Sequence, residues 1–210
     1  MSDRAVRSRP ADGVLDRRAA RPTRRSELMA VAAELFAERG FGGVTVDDIG
    51  AAAGVSGPAL YHHFQSKEAL LGEMLVAISE SLLERAEKIA ADADRPEDVL
   101  DGLIAMHCEF AVDHPELITV QARDLVHAPD ADRRRIRRLQ AAYVRIWIDA
   151  TAAVHTGRDR RVVRAAVHAA IGLINSTPFS ATLRRDEMLA LLAPMASAAL
   201  VAVPRHTSTI

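Results

Sequence analysis

Apolar residues recur at helical spacing along most of this chain. Leu28, Val31, Ala32, Leu35 and Phe36 repeat at intervals of three and four, which puts them on one helix face. Thr23 stands before them as an N-cap and Gly40 after them as a stop. Phe41 and Val44 then read as apolar plugs between helices. Thr45 caps a second, short helix that buries Val46, Ile49 and Ala53. Gly54 ends that helix where a left-handed backbone suits glycine. Ser56 caps a third, with Pro58 in its first turn and Leu60 and Phe64 inward. Ser66 caps a fourth, with Ala69, Leu70, Met74, Ile78 and Leu82 inward.

The pattern stays helical beyond that point. Helices are predicted from near Pro96 to His114, from Pro115, from Asp130 to about His155, from about Asp159 to Ser176 and from about Asp186 to Val203. No alternating β-branched stretch reads as a strand. The expected fold is all-α, with about nine helices. It divides into a tail over residues 1–22, a small helical head over 23–67, and a larger helical body over 68–210.

Composition narrows the function. Of 210 residues, 49% are apolar and 26% charged, with a formal net charge of −1, so overall charge carries no nucleic-acid signal. The distribution is asymmetric: residues 1–67 hold ten Lys/Arg against eight Asp/Glu, and the remainder holds the acidic excess. A lone cysteine, Cys108, excludes an intrachain disulfide and fits a reducing compartment. The first residues lack the apolar run of a secretory signal. Met188 to Val203 is apolar but too short to span a bilayer, and Pro194 and Ser197 interrupt it. A cytoplasmic protein is expected. There is no Ser/His/Asp spacing, no metal-ligand pair at helical spacing and no glycine-rich phosphate loop. The chain is therefore not expected to be an enzyme or to hold a cofactor or metal.

The segment Thr45–Lys67 carries the functional signal. Two short helices joined by Ala53-Gly54-Val55-Ser56 have the layout that presents side chains to the DNA major groove. Val46, Ile49, Ala52, Val55, Leu60 and Phe64 are expected to share a small core. Gly57, Pro58, Ala59, Tyr61, His62 and His63 are left on or near the surface. Small residues at 57–59 allow close approach to base edges. Pro58 and Ala59 suit thymine methyls, and His62 or His63 can hydrogen-bond a base or a phosphate. Thr45, Tyr61 and Lys67 suit phosphate oxygens. Ser56 belongs to the same surface. The tail arginines Arg4, Arg7, Arg9, Arg17, Arg18 and Arg21 read as a solvated extension or as an arm adding phosphate contacts, and both can hold.

These residues resemble the TetR family of bacterial transcriptional regulators. The pattern appears as Ala33-Glu34-Leu35-Phe36-Ala37-Glu38-Arg39-Gly40-Phe41, Thr45-Val46, Ile49-Gly50, Ala53-Gly54-Val55-Ser56, Leu60-Tyr61-His62-His63-Phe64 and Ser66-Lys67-Glu68-Ala69-Leu70-Leu71. The resemblance covers about residues 24–71. It implies a homodimer on palindromic double-stranded operator DNA, a body that binds a small effector, and most often a repressor released by that effector. A transcriptional activator and an effector-independent DNA-binding protein are the alternatives. Gly57 departs from the family, where a lysine or another polar residue is frequent. Asp47 and Asp48 favour the helix dipole but repel phosphate.

In the body, His107, Tyr143 and Trp147 interrupt apolar faces with polar groups, and Asn175 stands behind them. They are the candidate effector residues, an apolar site with a few orienting polar atoms. The run Asp132-Arg133-Arg134-Arg135-Ile136-Arg137-Arg138 reads as a solvated, acid-paired face or as a site for an anionic group. A stripe of Val163, Ala166, Val167, Ala170, Ile171 and Ile174, and another of Leu189, Leu192, Met195, Ala199 and Val203, are expected to form a four-helix dimer interface. Pro178 is expected to end the preceding helix near Thr177. The blocks His114-Pro115-Glu116-Leu117, Arg123-Asp124-Leu125 and Asn175-Ser176-Thr177-Pro178 resemble actinobacterial regulators that respond to fatty-acid or acyl-coenzyme A metabolites.

Overall fold

A computed structural model describes residues 23–180 and 182–202. The tail arginines and Val203 lie outside the described residues. Among the latter there are ten α-helices and two short 3-10 turns, and no strand. Local sequence sets most of the boundaries. Thr23 accepts a hydrogen bond from Ser26 N–H to start α1 (Arg24–Arg39), and Gly40 ends it at φ 77°. A 3-10 turn, Phe41–Gly43, follows. Thr45 and Asp48 form a reciprocal capping box that starts α2 (Val46–Ala52). After α3 (Gly57–Leu60), the Ser66 hydroxyl accepts from Ala69 N–H and starts the long α4 (Lys67–Asp92).

The body holds α5 (Pro96–Asp113), α6 (Pro115–Asp124), a 3-10 turn Leu125–His127, α7 (Asp130–Val154), α8 (Arg160–Ile174), α9 (Thr177–Ser180) and α10 (Arg185–Val201). The single turn α9 is the helix beyond the expected nine. Pro178 sits in its first turn, where a missing N–H costs nothing, so it opens a new turn as well as ending the old helix. α10 continues through Pro194. No described helix is long and apolar enough to cross a membrane.

α4 ties head to body, because it runs unbroken from the expected boundary and buries Leu70, Leu71, Met74, Leu75 and Ile78. It packs along α7 in the same direction. A Cβ on Gly72 would lie 2.4 Å from Asp132 Oδ2, and further along Arg135 pairs with Glu80. α10 packs on α8 and α5, where Arg185 grips Asp113 with two hydrogen bonds of 2.6 and 2.7 Å.

A second tie joins α6 to α1. The Arg123 guanidinium donates to the carbonyls of Phe36 and Ala37 at the open end of α1, and to both oxygens of the buried Asp124 at 3.1 and 3.0 Å. It thus satisfies the Ala37 carbonyl that the helix end leaves unpaired and adds a second donor to Phe36 O, which the Gly40 N–H already reaches. Just beyond, His127 stacks on Phe41 at 4.8 Å. Arg123→Ala strips Asp124 of its partner and unties α1. It is expected to cost about 2 kcal/mol, since a buried carboxylate is left unpaired while the half-exposed guanidinium that is lost was partly screened by water. Urea unfolding of the variant at neutral pH checks this.

The candidate DNA-reading head

The turn between α2 and α3 is tight because two glycines meet there. A Cβ on Gly50 would fall 2.9 Å from Gly57 N, 3.0 Å from Val55 O and 3.1 Å from Gly57 Cα. Gly54 supplies the left-handed residue at φ 69°, and Val55 N–H bonds Gly50 O at 2.8 Å. The sequence pattern contained Gly50, but helical periodicity assigned it no role. Its signal was a glycine in a short helix interior, where glycine is otherwise costly.

The expected reading surface divides. Pro58, Tyr61 and His62 are exposed, Ala59 and His63 are half-buried, and Tyr61 shows 57% of its surface. Thr45 is exposed, and its hydroxyl is engaged with Asp48. That bonding also holds the Asp48 carboxyl below its usual range. Ser56 is exposed and makes no capping bond through its side chain.

Three expectations are corrected. Gly57 is buried, because Asp47 covers it: a Cβ there would come within 1.7 Å of Asp47 Oδ1. The bare position is filled by the neighbouring carboxylate and is not open to DNA. Lys67 points inward. Its Nζ donates to Phe41 O at 2.8 Å and Val44 O at 2.6 Å and lies 4.2 Å from the Phe41 ring centre, so it closes the head. Ala52, expected in the head core, is exposed.

The body brings the candidate effector residues together and alters the expected dimer stripe. His107, Tyr143, Trp147 and Asn175 do come together, but as a packed cluster. Asn175 Oδ1 can only accept, so His107 donates from Nε2 at 3.1 Å, and its Nδ1 accepts from the Tyr143 hydroxyl at 3.0 Å. Burial pushes the His107 imidazole down to about 4 and raises the Tyr143 phenol. The Trp147 N–H pulls Tyr143 the other way without reaching hydrogen-bond geometry, and it is buried without a partner. Thr177 Oγ1 is likewise buried and unpartnered. A surface groove of about 380 Å³ between α1, α6 and α9 is lined by Glu34, Glu38, Glu116 and Pro178 among others, and by none of the four. Burial pushes the Cys108 thiol up to about 11, so it stays protonated packing.

Part of the expected dimer stripe faces its own protomer. Val163, Val167, Ala170 and Ile174 on α8 and Leu192 on α10 are buried within the chain, while Ala166, Ile171, Leu189 and Ala199 are half-buried. Of that set Met195 is exposed. The free faces carry Ala165, Ala169 and Gly172 on α8, and Leu191, Met195 and Ala198 on α10.

Known proteins share this geometry. Residues 28–74 match the family model of bacterial regulatory proteins, tetR family. The HTH-type transcriptional repressor KstR2 of Mycolicibacterium smegmatis is 34% identical over 131 residues, 60% of this chain and 62% of that one. The chain thus spans less than two thirds of that relative. The HTH-type transcriptional regulator EthR of the same organism is 29% identical over 156 residues, 69% of this chain and 66% of its own. The solved ketosteroid transcriptional regulator KstR2 of Mycobacterium tuberculosis shares the fold. Its TM-score is 0.74 at 23% identity, over 89% of this chain and 98% of that one. Residues 28–74 thus carry the match to the tetR family of bacterial regulatory proteins, and the chain is similar to members of that family in sequence and fold.

Proposed function

We propose that this chain is a transcriptional repressor that binds a palindromic operator as a homodimer and leaves it when a small apolar or acyl-type effector binds the body. The observation that carries DNA reading is the outward set Pro58, Ala59, Tyr61 and His62 on a turn locked by Gly50 against Gly57. Thr45 and His63 flank it. The KstR2 relatives, named as repressors, support the sign of regulation. Dimerisation uses the free small-residue faces of α8 and α10, since a Cβ on Gly172 meets nothing within 4 Å and leaves room for a second copy.

The effector reading rests on His107, Tyr143, Trp147 and Asn175. Buried Trp147 and Thr177 polar atoms without partners are donors and acceptors that a ligand could satisfy once the body opens. The acyl class is supported by a fold neighbour, the regulator FadR of Bacillus subtilis, solved with stearoyl-CoA. Operator selection from a random duplex library, followed by titration with stearoyl-CoA, a free fatty acid and a steroid, tests the whole reading. An effector must weaken DNA binding by the factor by which DNA weakens its own. Equal effector affinity for free and operator-bound protein removes the regulatory mechanism.

Tyr61→Phe is expected to weaken operator binding by about 1–3 kcal/mol, the worth of a hydrogen bond to a charged phosphate, with base preference unchanged. Competition titrations against single-base operator variants read both quantities.

A further inference from the structure

We propose that Arg134, Arg137 and Arg138, on the first turns of α7, form a second contact to duplex DNA, binding phosphates away from the bases that the head reads. This rests on the DNA-binding reading and adds a surface to it.

The head is short of free positive charge. Residues 23–67 contain Arg24, Arg25, Arg39 and Lys67 against five carboxylates, Glu27, Glu34, Glu38, Asp47 and Asp48. Each cation is already engaged. Arg24 binds Glu27 and Ala53 O. Arg25 binds Glu73 and His63 O, and lies over the Phe64 ring. Arg39 stands 3.5 Å from Glu38, and Lys67 is turned inward. Affinity for a duplex comes largely from neutralising phosphates. The described head has little to do it with.

α7 has that charge. Arg133 and Arg135 are used inside the fold, on Val126 O, Ala128 O and Asp130 and on Glu80 respectively. Arg134, Arg137 and Arg138 are exposed, with no carboxylate partner among the described residues. Arg134 and Arg138 are one helical turn apart on the same outward ridge. The ridge is also close to the head. α7 begins three residues after His127, which stacks on Phe41, and α7 runs parallel to α4, whose first residue belongs to the head. Positive charge near a helix N-terminus opposes the dipole. Asp130 and Asp132 share that first turn, but the three exposed guanidinium groups remain free to take an outside anion, and an extended row of phosphates matches guanidinium groups spaced along a ridge.

The test uses the full chain and a duplex it selects from a random-sequence library with constant flanks. Binding is measured from about 50 to about 200 mM salt for the unchanged protein, for Arg134→Gln/Arg137→Gln/Arg138→Gln and for the matching triple Lys variant. Losing all three guanidinium–phosphate pairs per protomer lowers the slope of log K against log salt by about 5 for a dimer, and even one pair per protomer lowers it by about 2, with binding weakened at least on the order of tenfold at the low-salt end. The Lys variant keeps the slope. A glutamine variant with the original slope overturns the proposal, as does a Lys variant as weak as the glutamine one. If the unchanged protein binds no duplex, the DNA-binding reading itself fails. Melting temperature is followed throughout, and Arg134→Gln/Arg138→Gln replaces the triple variant if that one is less stable.

Discussion

Gly50→Val is expected to reduce operator binding to the non-specific level, on the order of 1,000-fold weaker, and to lower stability by about 3 kcal/mol. The reason is geometric. The atoms that a side chain at 50 would strike are backbone: Gly57 N and Cα and Val55 O, all within 3.1 Å of the ideal Cβ. Backbone cannot rotate away as a side-chain tip can, so α3 must move as a body. Pro58, Ala59, Tyr61 and His62, the residues proposed to read DNA, move with it, and base contacts of that kind tolerate little displacement. Gly42→Ala is the control, because a Cβ there meets nothing within 4 Å. Operator titration and thermal unfolding of both variants check the prediction. A Gly50→Val protein that still reads its operator would show that this contact does not set the angle between the helices.

The second large effect concerns His107 and acid. Its imidazole titrates near 4 in the folded protein against 6.5 when unfolded, because burial disfavours the charged ring. Above pH 6.5 both states are neutral at this site, and it contributes no pH dependence. As pH falls below 6.5 the unfolded chain takes up the proton first, so folding stability is lost progressively down to about pH 4. The full loss is about 3 kcal/mol. His107→Gln keeps hydrogen-bonding capacity towards Asn175 and Tyr143 without the titration. Its stability should therefore decline less between pH 7 and pH 4.5 than that of the unchanged protein. Urea unfolding at the two pH values measures this, and parallel declines would remove His107 from the account.

The helices themselves were legible from local chemistry. Thr23, Thr45 and Ser66 each cap the backbone N–H three residues on, an interaction contained within one turn. Gly40 and Gly54 mark positive-φ positions that other residues seldom adopt. The exposure of Pro58, Tyr61 and His62 followed from the same periodicity that buried Leu60 and Phe64. The grouping of His107, Tyr143 and Trp147 is legible too, because each is a polar interruption of an apolar face, while Asn175 lies near a helix end and reaches His107 only through the fold.

What failed were statements about what lies opposite a face. Periodicity says that Val163, Val167, Ala170 and Ile174 are covered. It is silent on whether the cover is the chain's own core or a second copy, and here it is the chain's own. Lys67 at a helix start resembles a phosphate ligand until the carbonyls of Phe41 and Val44, more than twenty residues earlier, are brought to its ammonium. Gly57 looks bare only until Asp47 is folded over it.

By itself, then, the sequence determined the all-α class, most of the helix starts and the turn between α2 and α3, since caps, turn glycines and apolar period act within a few residues. Tertiary structure alone decided which cations are free, which small-residue faces are open and which glycines hold the angle of the head. Those properties depend on contacts between residues distant in the chain, and no local spacing encodes them.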